Sequence, residues 1–109
     1  MHVPDDTKSM FSQVCRKHQL IVLSDEIYAI CGFNNHTNIS MTKYYPEGSI
    51  LCSGISKWCG GGGWRLGYML FPKELNQLLQ AIIRAAGQTY ATVSEPIQVV
   101  VSSYSLTDL

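Results

Sequence analysis

The pattern of apolar and polar residues predicts a helix near the start of the chain. Residues 7–18 carry apolar side chains at helical spacing, with Arg16 and Lys17 at the end, where positive charge is favourable. The apolar stripe consists of Met10, Phe11, Val14 and Cys15. The first turn is expected to be capped by Asp5, Asp6 or Thr7.

Three apolar segments further along the chain predict strands. Residues 19–24 contain the uninterrupted run LIVL, which is typical of a strand covered on both faces in a parallel sheet flanked by helices. Residues 49–53 and 66–71 are the other two predicted strands. Residues 32–48 are rich in turn formers and are predicted to form a loop with little regular structure.

Two helices are predicted in the last third of the chain. Pro72 is expected to start the first of them, and its leucines and isoleucines recur at helical spacing until Gly87 ends it. The second is expected over residues 94–105. This order of elements indicates the α/β fold class. Such apolar strands need neighbours and covering helices, so the chain is expected to be an interior piece of a larger domain.

Charge and composition argue against several classes of function. The 109 residues include eight basic and eight acidic side chains without a patch, which is not the pattern of a nucleic-acid-binding protein. No apolar stretch is long enough to span a bilayer, and no export signal is visible, so no membrane role is expected. The cysteines are irregularly spaced and contain no CxxC pair, which indicates a reducing, cytoplasmic location and no metal site.

Two charged side chains are predicted at the ends of different strands. Asp25 ends the first strand and Lys57 follows the second, and ligands of open α/β sheets bind at the carboxyl ends of strands. Tyr28 lies three residues after Asp25, and glycines 60–63 and Arg65 come after Lys57. These residues supply a carboxylate, a phenol, an amine and a phosphate clamp. Such groups are the ones needed to hold pyridoxal phosphate as a cofactor.

Each side chain has a chemical role in that hypothesis. Lys57 would form a Schiff base with the cofactor aldehyde and, once displaced, would act as general acid and base. Asp25 would keep the pyridine nitrogen protonated, and Tyr28 would donate a hydrogen bond to the phenolic oxygen. Arg65 and the backbone N–H groups of glycines 60–63 would bind the phosphate. Taken singly, each residue has a structural explanation, and only their combination favours a cofactor site.

The segments SDEIY (residues 24–28) and SGISKWCGGGGWRLGYMLFP (residues 53–72) resemble the fold-type I pyridoxal phosphate enzymes, specifically the class I and II aminotransferases. The resemblance spans about residues 6–106. It implies that Lys57 is the catalytic lysine and that the cofactor is bound by Asp25, Tyr28, Lys57 and Arg65. One departure is Gly54, where members commonly have a phosphate-binding serine; Ser53 or Ser56 could substitute for it.

The resemblance also implies a domain organisation and an activity. Residues 1–109 would be part of the large, cofactor-binding domain, in which a mostly parallel sheet is flanked by helices. The N-terminal part of that domain and the C-terminal small domain would be absent. The parent protein, a homodimer, would transfer an amino group between an amino acid and a 2-oxo acid. Two alternatives remain open, namely a lyase or decarboxylase on the same fold and a catalytically inactive fragment.

Overall fold

The structure, a computed structural model, describes residues 4–31 and 39–103. The helices are α1 (Asp5–Lys17), α2 (Asn76–Thr89) and α3 (Glu95–Ser103). The strands are β1 (Val22–Asp25), β2 (Ser49–Gly54) and β3 (Gly67–Leu70). Single turns of 3-10 helix span Met41–Lys43, Gly61–Trp64 and Lys73–Leu75. Most of the predicted elements are therefore present with shifted ends, and residues 32–38 of the predicted loop lie outside the described residues.

The strands form one sheet in the order β1-β2-β3. β1 and β2 are parallel, with Asp25 aligned to Cys52, whereas β2 and β3 are antiparallel, with Gly54 aligned to Gly67. The antiparallel pair arises because only residues 55–66 connect β2 to β3, and a parallel connection usually needs a crossover helix. The predicted α/β class is confirmed, and the sheet is mixed in the described part of the chain.

Helix α1 begins differently from the prediction. Its N-cap is Pro4, and no side-chain hydrogen bond caps the helix, so the predicted capping by Asp5, Asp6 or Thr7 is wrong. Asp5 and Asp6 lie inside the first turn instead, where their negative charges interact favourably with the positive end of the helix dipole. Arg16 and Lys17 lie in the last turn, as predicted.

The buried face of α1 differs from its apolar stripe. The helix buries Lys8, Ser12 and Cys15, while Met10, Phe11 and Val14 are each more than half exposed. This orientation follows from polar contacts on the buried side, where the Lys8 ammonium donates to the Ile39 carbonyl at 2.6 Å. The described core is small and consists of Cys15, Tyr45, Ile50 and Ile55.

An ion pair fixes the end of α1 to the segment before β2. The Arg16 guanidinium donates to both carboxylate oxygens of Glu47, at 2.6 and 3.3 Å, and to the Tyr44 carbonyl at 3.1 Å. The same guanidinium lies 5.1 Å from the centre of the Tyr45 ring. The hydrogen bond from Arg16 lowers the pKa of the Glu47 carboxyl below its ordinary value. The contact is on the surface and orients α1 more than it stabilises the fold.

The first strand is predicted to be covered by helices on both faces, and within the described residues this prediction is wrong. Leu23 in β1 and the preceding Leu20 and Ile21 are about half exposed or more, so the described residues do not cover them. All four residues of β3, the opposite edge strand, are also exposed. Helix α2 begins directly after the turn Lys73–Leu75. Within the described residues, no helix is long and apolar enough to cross a bilayer.

Gly87 does not end the helix that contains it. α2 continues to Thr89, and the left-handed turn after it is made by Ala91, at φ 60°. The N–H groups of Tyr90 and Ala91 both donate to the Ala86 carbonyl. The prediction is wrong because the chain reverses four residues beyond the glycine. The final helix is described over Glu95–Ser103, and the predicted residues 104–105 lie outside the described part.

Gly54 is predicted to be necessary for the close approach of β2 and β3. A Cβ there would lie 2.9 Å from the Leu66 carbonyl oxygen and 3.1 Å from the Gly67 Cα, both backbone atoms. We expect Gly54→Ala to lower the free energy of unfolding by about 1–3 kcal/mol in chemical denaturation. Gly87→Ala is the control, because a Cβ there meets nothing within 4 Å; it should raise stability by about 0.5–1 kcal/mol. Equal stability of the two variants would contradict this packing.

Candidate active site

The predicted site residues lie at the end of the sheet where β1 and β2 reach their carboxyl termini, which we call the carboxyl edge. Asp25 is the last residue of β1, and Lys57 follows the end of the parallel strand β2 by three residues. Because β3 is antiparallel to β2, its first residue lies at the same edge, and Arg65 precedes it by two residues. Tyr28 belongs to the turn that follows β1. The sheet topology thus gathers all of these side chains at the carboxyl ends of β1 and β2.

Asp25 is held by the turn that begins at the end of β1. Its Oδ1 accepts a hydrogen bond from the Ile27 N–H at 3.2 Å, which is an Asx turn of the kind that Asp favours. The next residue ties this turn to the sheet, since the Glu26 N–H donates to the Cys52 carbonyl at 2.8 Å. The Asp25 carboxylate is exposed and keeps acceptor capacity for a ligand.

Lys57 and Tyr28 contact each other directly. The Lys57 Nζ lies 5.4 Å from the centre of the Tyr28 ring, which is within the range of a cation–π interaction. This contact joins the turn after β1 to the turn after β2. The contact keeps the Lys57 ammonium near Tyr28. Two of the four predicted site residues therefore lie next to each other.

Arg65 is positioned by a left-handed backbone and by its own turn. Its φ is 55°, and its Nη1 donates to the Gly62 carbonyl at 2.9 Å. The guanidinium has further N–H donors, so this single bond leaves capacity for an anion. The side chain is exposed at the same edge as Lys57.

The glycine run has two separate parts. Gly60 adopts φ 69°, and Gly61 is buried against Ile55 while its N–H donates to the Ile55 carbonyl. The Gly61 N–H is therefore used inside the loop, and the expected approach of backbone N–H groups to a phosphate falls to the other glycines of the run. A Cβ at Gly63 would meet nothing within 4 Å, so this part of the run remains open to a ligand.

The described residues form an open edge and not an enclosed crevice. Asp25, Lys57 and Arg65 are exposed, and the Tyr28 side chain is 62% exposed. Water therefore reaches the charged groups and weakens their interactions with one another. The groups present nevertheless fit an anionic aldehyde cofactor, since a carboxylate, a phenol, an amine and a guanidinium share one edge.

Two neighbours of Asp25 were not singled out from the sequence. Glu26 accepts hydrogen bonds from Ser24 and Ser40, and Cys52 is aligned with Asp25 across the parallel pair. Burial, and secondarily the Asp25 charge, raise the pKa of the Cys52 thiol. The acidic pair in SDE was a visible signal for Glu26, but only the strand register brings Cys52 beside Asp25.

The other chemistry-bearing side chains do not form a second site in the described residues. Residues 4–31 and 39–103 contain no group of three or more His, Cys, Asp or Glu side chains placed to bind a metal. The four cysteines are unpaired, with Cys15 buried and Cys59 exposed. His18 is exposed at the end of α1, and His2 and His36 lie outside the described residues.

Known proteins resemble this chain in sequence and in fold. The family model for aminotransferase class I and II matches residues 4–107. An aspartate aminotransferase of Musicola paradisiaca is 34% identical over 86 residues, covering 76% of this chain and 22% of the relative. An aspartate aminotransferase of Geobacillus stearothermophilus is 28% identical over 78 residues, covering 69% of this chain and 20% of the relative.

A solved structure shows the same fold. Aspartate aminotransferase from Thermus thermophilus with maleate superposes with a TM-score of 0.78 at 23% identity, covering 87% of this chain and 24% of that chain. The chain spans about a fifth of the length of the two curated relatives. The family match includes every described strand and helix, together with the edge that carries Asp25, Tyr28, Lys57 and Arg65. The chain therefore belongs to the aminotransferase class I and II family.

Proposed function

We propose that this chain is the cofactor-anchoring segment of a pyridoxal phosphate-dependent aminotransferase that transfers an amino group between an amino acid and a 2-oxo acid. The parallel pairing of β1 and β2 carries the proposal, since it places Asp25 and the Lys57 turn at one edge. Membership of the family supports the class of reaction. The two relatives described above are named for aspartate, so aspartate is the first amino donor to test.

The residues at the edge have separate binding roles in this proposal. The Arg65 guanidinium binds the cofactor phosphate, with backbone N–H groups near Gly63 beside it. The Asp25 carboxylate holds a proton on the pyridine nitrogen, because a nearby negative charge favours the protonated form. The Tyr28 hydroxyl donates a hydrogen bond to the phenolic oxygen of the ring. Bound pyridoxal phosphate would supply an aldehyde that bonds to amines and a ring that withdraws electrons from the substrate carbon.

Lys57 has two roles in sequence. Its amine would hold the cofactor covalently until the substrate amine takes its place. The freed amine would then accept the proton from the substrate α-carbon as a general base and donate it, as a general acid, to the carbon of the cofactor that carried the aldehyde oxygen. Before the cofactor binds, the Tyr28 ring holds the Lys57 ammonium at this edge.

The proposal extends to the location and the partners of the protein. We place the protein in the cytoplasm and expect the full-length parent to be a homodimer that binds neither nucleic acid nor membranes. The even balance of basic and acidic residues supports the first of these exclusions. Exposed apolar side chains on β1 and β3 support packing against further polypeptide, whether from the same chain or a partner.

Product analysis tests the proposed reaction. The 109-residue chain is incubated with pyridoxal phosphate and aspartate, and both the 2-oxo acid and the aminated cofactor are measured. Equal amounts of the two products are expected for amino transfer. Release of carbon dioxide or of a side-chain fragment would instead identify the lyase or decarboxylase alternative.

The open edge is the observation that favours the inactive-fragment alternative. Charged groups that water surrounds lose much of the electrostatic effect on which catalysis depends. If this alternative holds, no 2-oxo acid forms from aspartate or from any other amino acid tested. That result would contradict amino transfer by this polypeptide.

A further inference from the structure

Glu26 connects three parts of the chain next to the candidate active site. Its N–H donates to the Cys52 carbonyl of β2 at 2.8 Å, and its own carbonyl accepts from the Ala29 N–H at 2.9 Å. Its Oε1 accepts from Ser24 Oγ at 2.9 Å and from Ser40 Oγ at 2.6 Å. One residue thus joins β1, β2 and the segment that precedes the turn Met41–Lys43.

The two adjacent carboxylates have different environments. The Asp25 carboxylate is exposed and accepts one backbone N–H, whereas the half-buried Glu26 carboxylate accepts two hydroxyl groups. Hydrogen bonds from hydroxyls to an ionised carboxylate are short and strong, and the Ser40 contact has that length. Glu26 is therefore committed to the protein interior, and Asp25 is the member of the pair that is left for a ligand.

The hydroxyl that contacts Glu26 is itself held in place. Ser40 Oγ accepts from the Thr42 N–H at 3.1 Å and is hydrogen-bonded to Thr42 Oγ1 at 2.8 Å. Ser40 is also the N-cap of the turn Met41–Lys43. The hydroxyl therefore has a fixed direction, and a fixed donor restricts the carboxylate that accepts from it.

We propose that Glu26 is a positioning residue that fixes the turn carrying Asp25 and Tyr28. The backbone of Glu26 closes the turn, with its N–H on the Cys52 carbonyl and its carbonyl on the Ala29 N–H. The Glu26 side chain adds the link to Ser40, a residue outside the turn, and this link restricts where the backbone of residue 26 can lie. The inference rests on the proposed function in one respect, which is that the positioned side chains bind a cofactor.

Three substitutions separate positioning from general stability. Glu26→Ala removes the acceptor of both hydroxyls, Glu26→Gln keeps an amide oxygen without the charge, and Ser40→Ala removes one donor. Glu74→Ala is the matched control, because Glu74 is an exposed glutamate in the turn Lys73–Leu75. The 109-residue chain of each variant is studied in two ways.

The first measurement is amide hydrogen exchange. The Ala29 amide donates to the backbone carbonyl of Glu26, which every variant keeps. It should nevertheless exchange roughly tenfold faster in Glu26→Ala, because the turn loosens when the bonds from Ser24 and Ser40 to the charged carboxylate are lost. The Leu20 amide, bonded to Cys15, should keep its rate. Glu26→Gln and Ser40→Ala should give smaller increases at Ala29, and Glu74→Ala none. An unchanged Ala29 rate, or equal increases at Ala29 and Leu20, would overturn the inference.

The second measurement is labelling by pyridoxal phosphate followed by borohydride reduction. The label on Lys57, relative to that on Lys17, should fall roughly tenfold in Glu26→Ala and less in Glu26→Gln. Undiminished labelling of Lys57 in Glu26→Ala would overturn the inference even if Ala29 exchanges faster. If unsubstituted protein shows no preference for Lys57, the proposed function fails, while Ala29 exchange still decides whether Glu26 fixes the turn.

Discussion

Replacing Lys57 with arginine is expected to abolish the covalent capture of pyridoxal phosphate at residue 57. Arginine keeps the positive charge and can still lie over the Tyr28 ring, but its guanidinium stays protonated and is not a nucleophile. The variant therefore removes the anchoring amine with little change in charge or packing. Amino transfer should fall by at least about a hundredfold, the lower range for loss of a general acid and base.

The measurement for Lys57 is mass spectrometry of peptides after borohydride reduction. In the unsubstituted chain, Lys57 should carry most of the label, and the exposed Lys17, Lys43 and Lys73 should carry little. Lys73→Arg is the matched control, because it makes the same change at an exposed lysine away from the candidate active site. Uniform labelling of all lysines, or unchanged transfer in Lys57→Arg, would show that Lys57 has no special role.

Replacing Asp25 with asparagine is expected to slow amino transfer without preventing attachment to Lys57. The amide oxygen can still accept from the Ile27 N–H and preserve the turn, but the negative charge is lost. A neighbouring opposite charge shifts a pKa by about 1–3 units, so the pKa of the pyridine nitrogen should drop and its protonated fraction should fall by up to about a thousandfold. The rate of 2-oxo acid formation should fall accordingly.

The Asp25 prediction is measured as the ratio of two rates in the same sample. Formation of the reducible lysine adduct should remain close to that of unsubstituted protein, while 2-oxo acid formation drops. Asp6→Asn is the control, since Asp6 is an exposed aspartate in the first turn of α1. Equal loss of both rates would mean that Asp25 acts through the fold instead of through the pyridine nitrogen.

Local patterns in the sequence were sufficient to predict the helices and strands, and to predict that Asp25 and Lys57 follow the ends of strands. The run LIVL followed by SDE, and the run that ends in SGISK, each place a polar residue after an apolar strand. The common edge then followed from the expectation of a parallel pair, which β1 and β2 form. The sequence-based expectation is a mostly parallel sheet, whereas β3 is antiparallel to β2, because the connection of residues 55–66 contains no crossover helix.

The failures have identifiable physical causes. Of the predicted apolar stripe of α1, Cys15 is buried, whereas Met10, Phe11 and Val14 are exposed. The buried face instead includes Lys8, which contacts Ile39, a residue distant in sequence. Gly87 is predicted to end its helix, but the left-handed conformation that follows the helix is adopted by Ala91. Glu26 was overlooked because its serine partner, Ser40, lies fourteen residues away.

An amide NMR titration with pyridoxal phosphate tests the central claim most directly, which is that the carboxyl edge of β1 and β2 binds this cofactor. The account predicts that the largest shifts fall on residues 25–28 and 54–65, with small shifts at Val22, Ser49 and Leu70, at the opposite ends of the strands. Largest shifts on α1 or α2, or no saturable shifts at the edge, would contradict it.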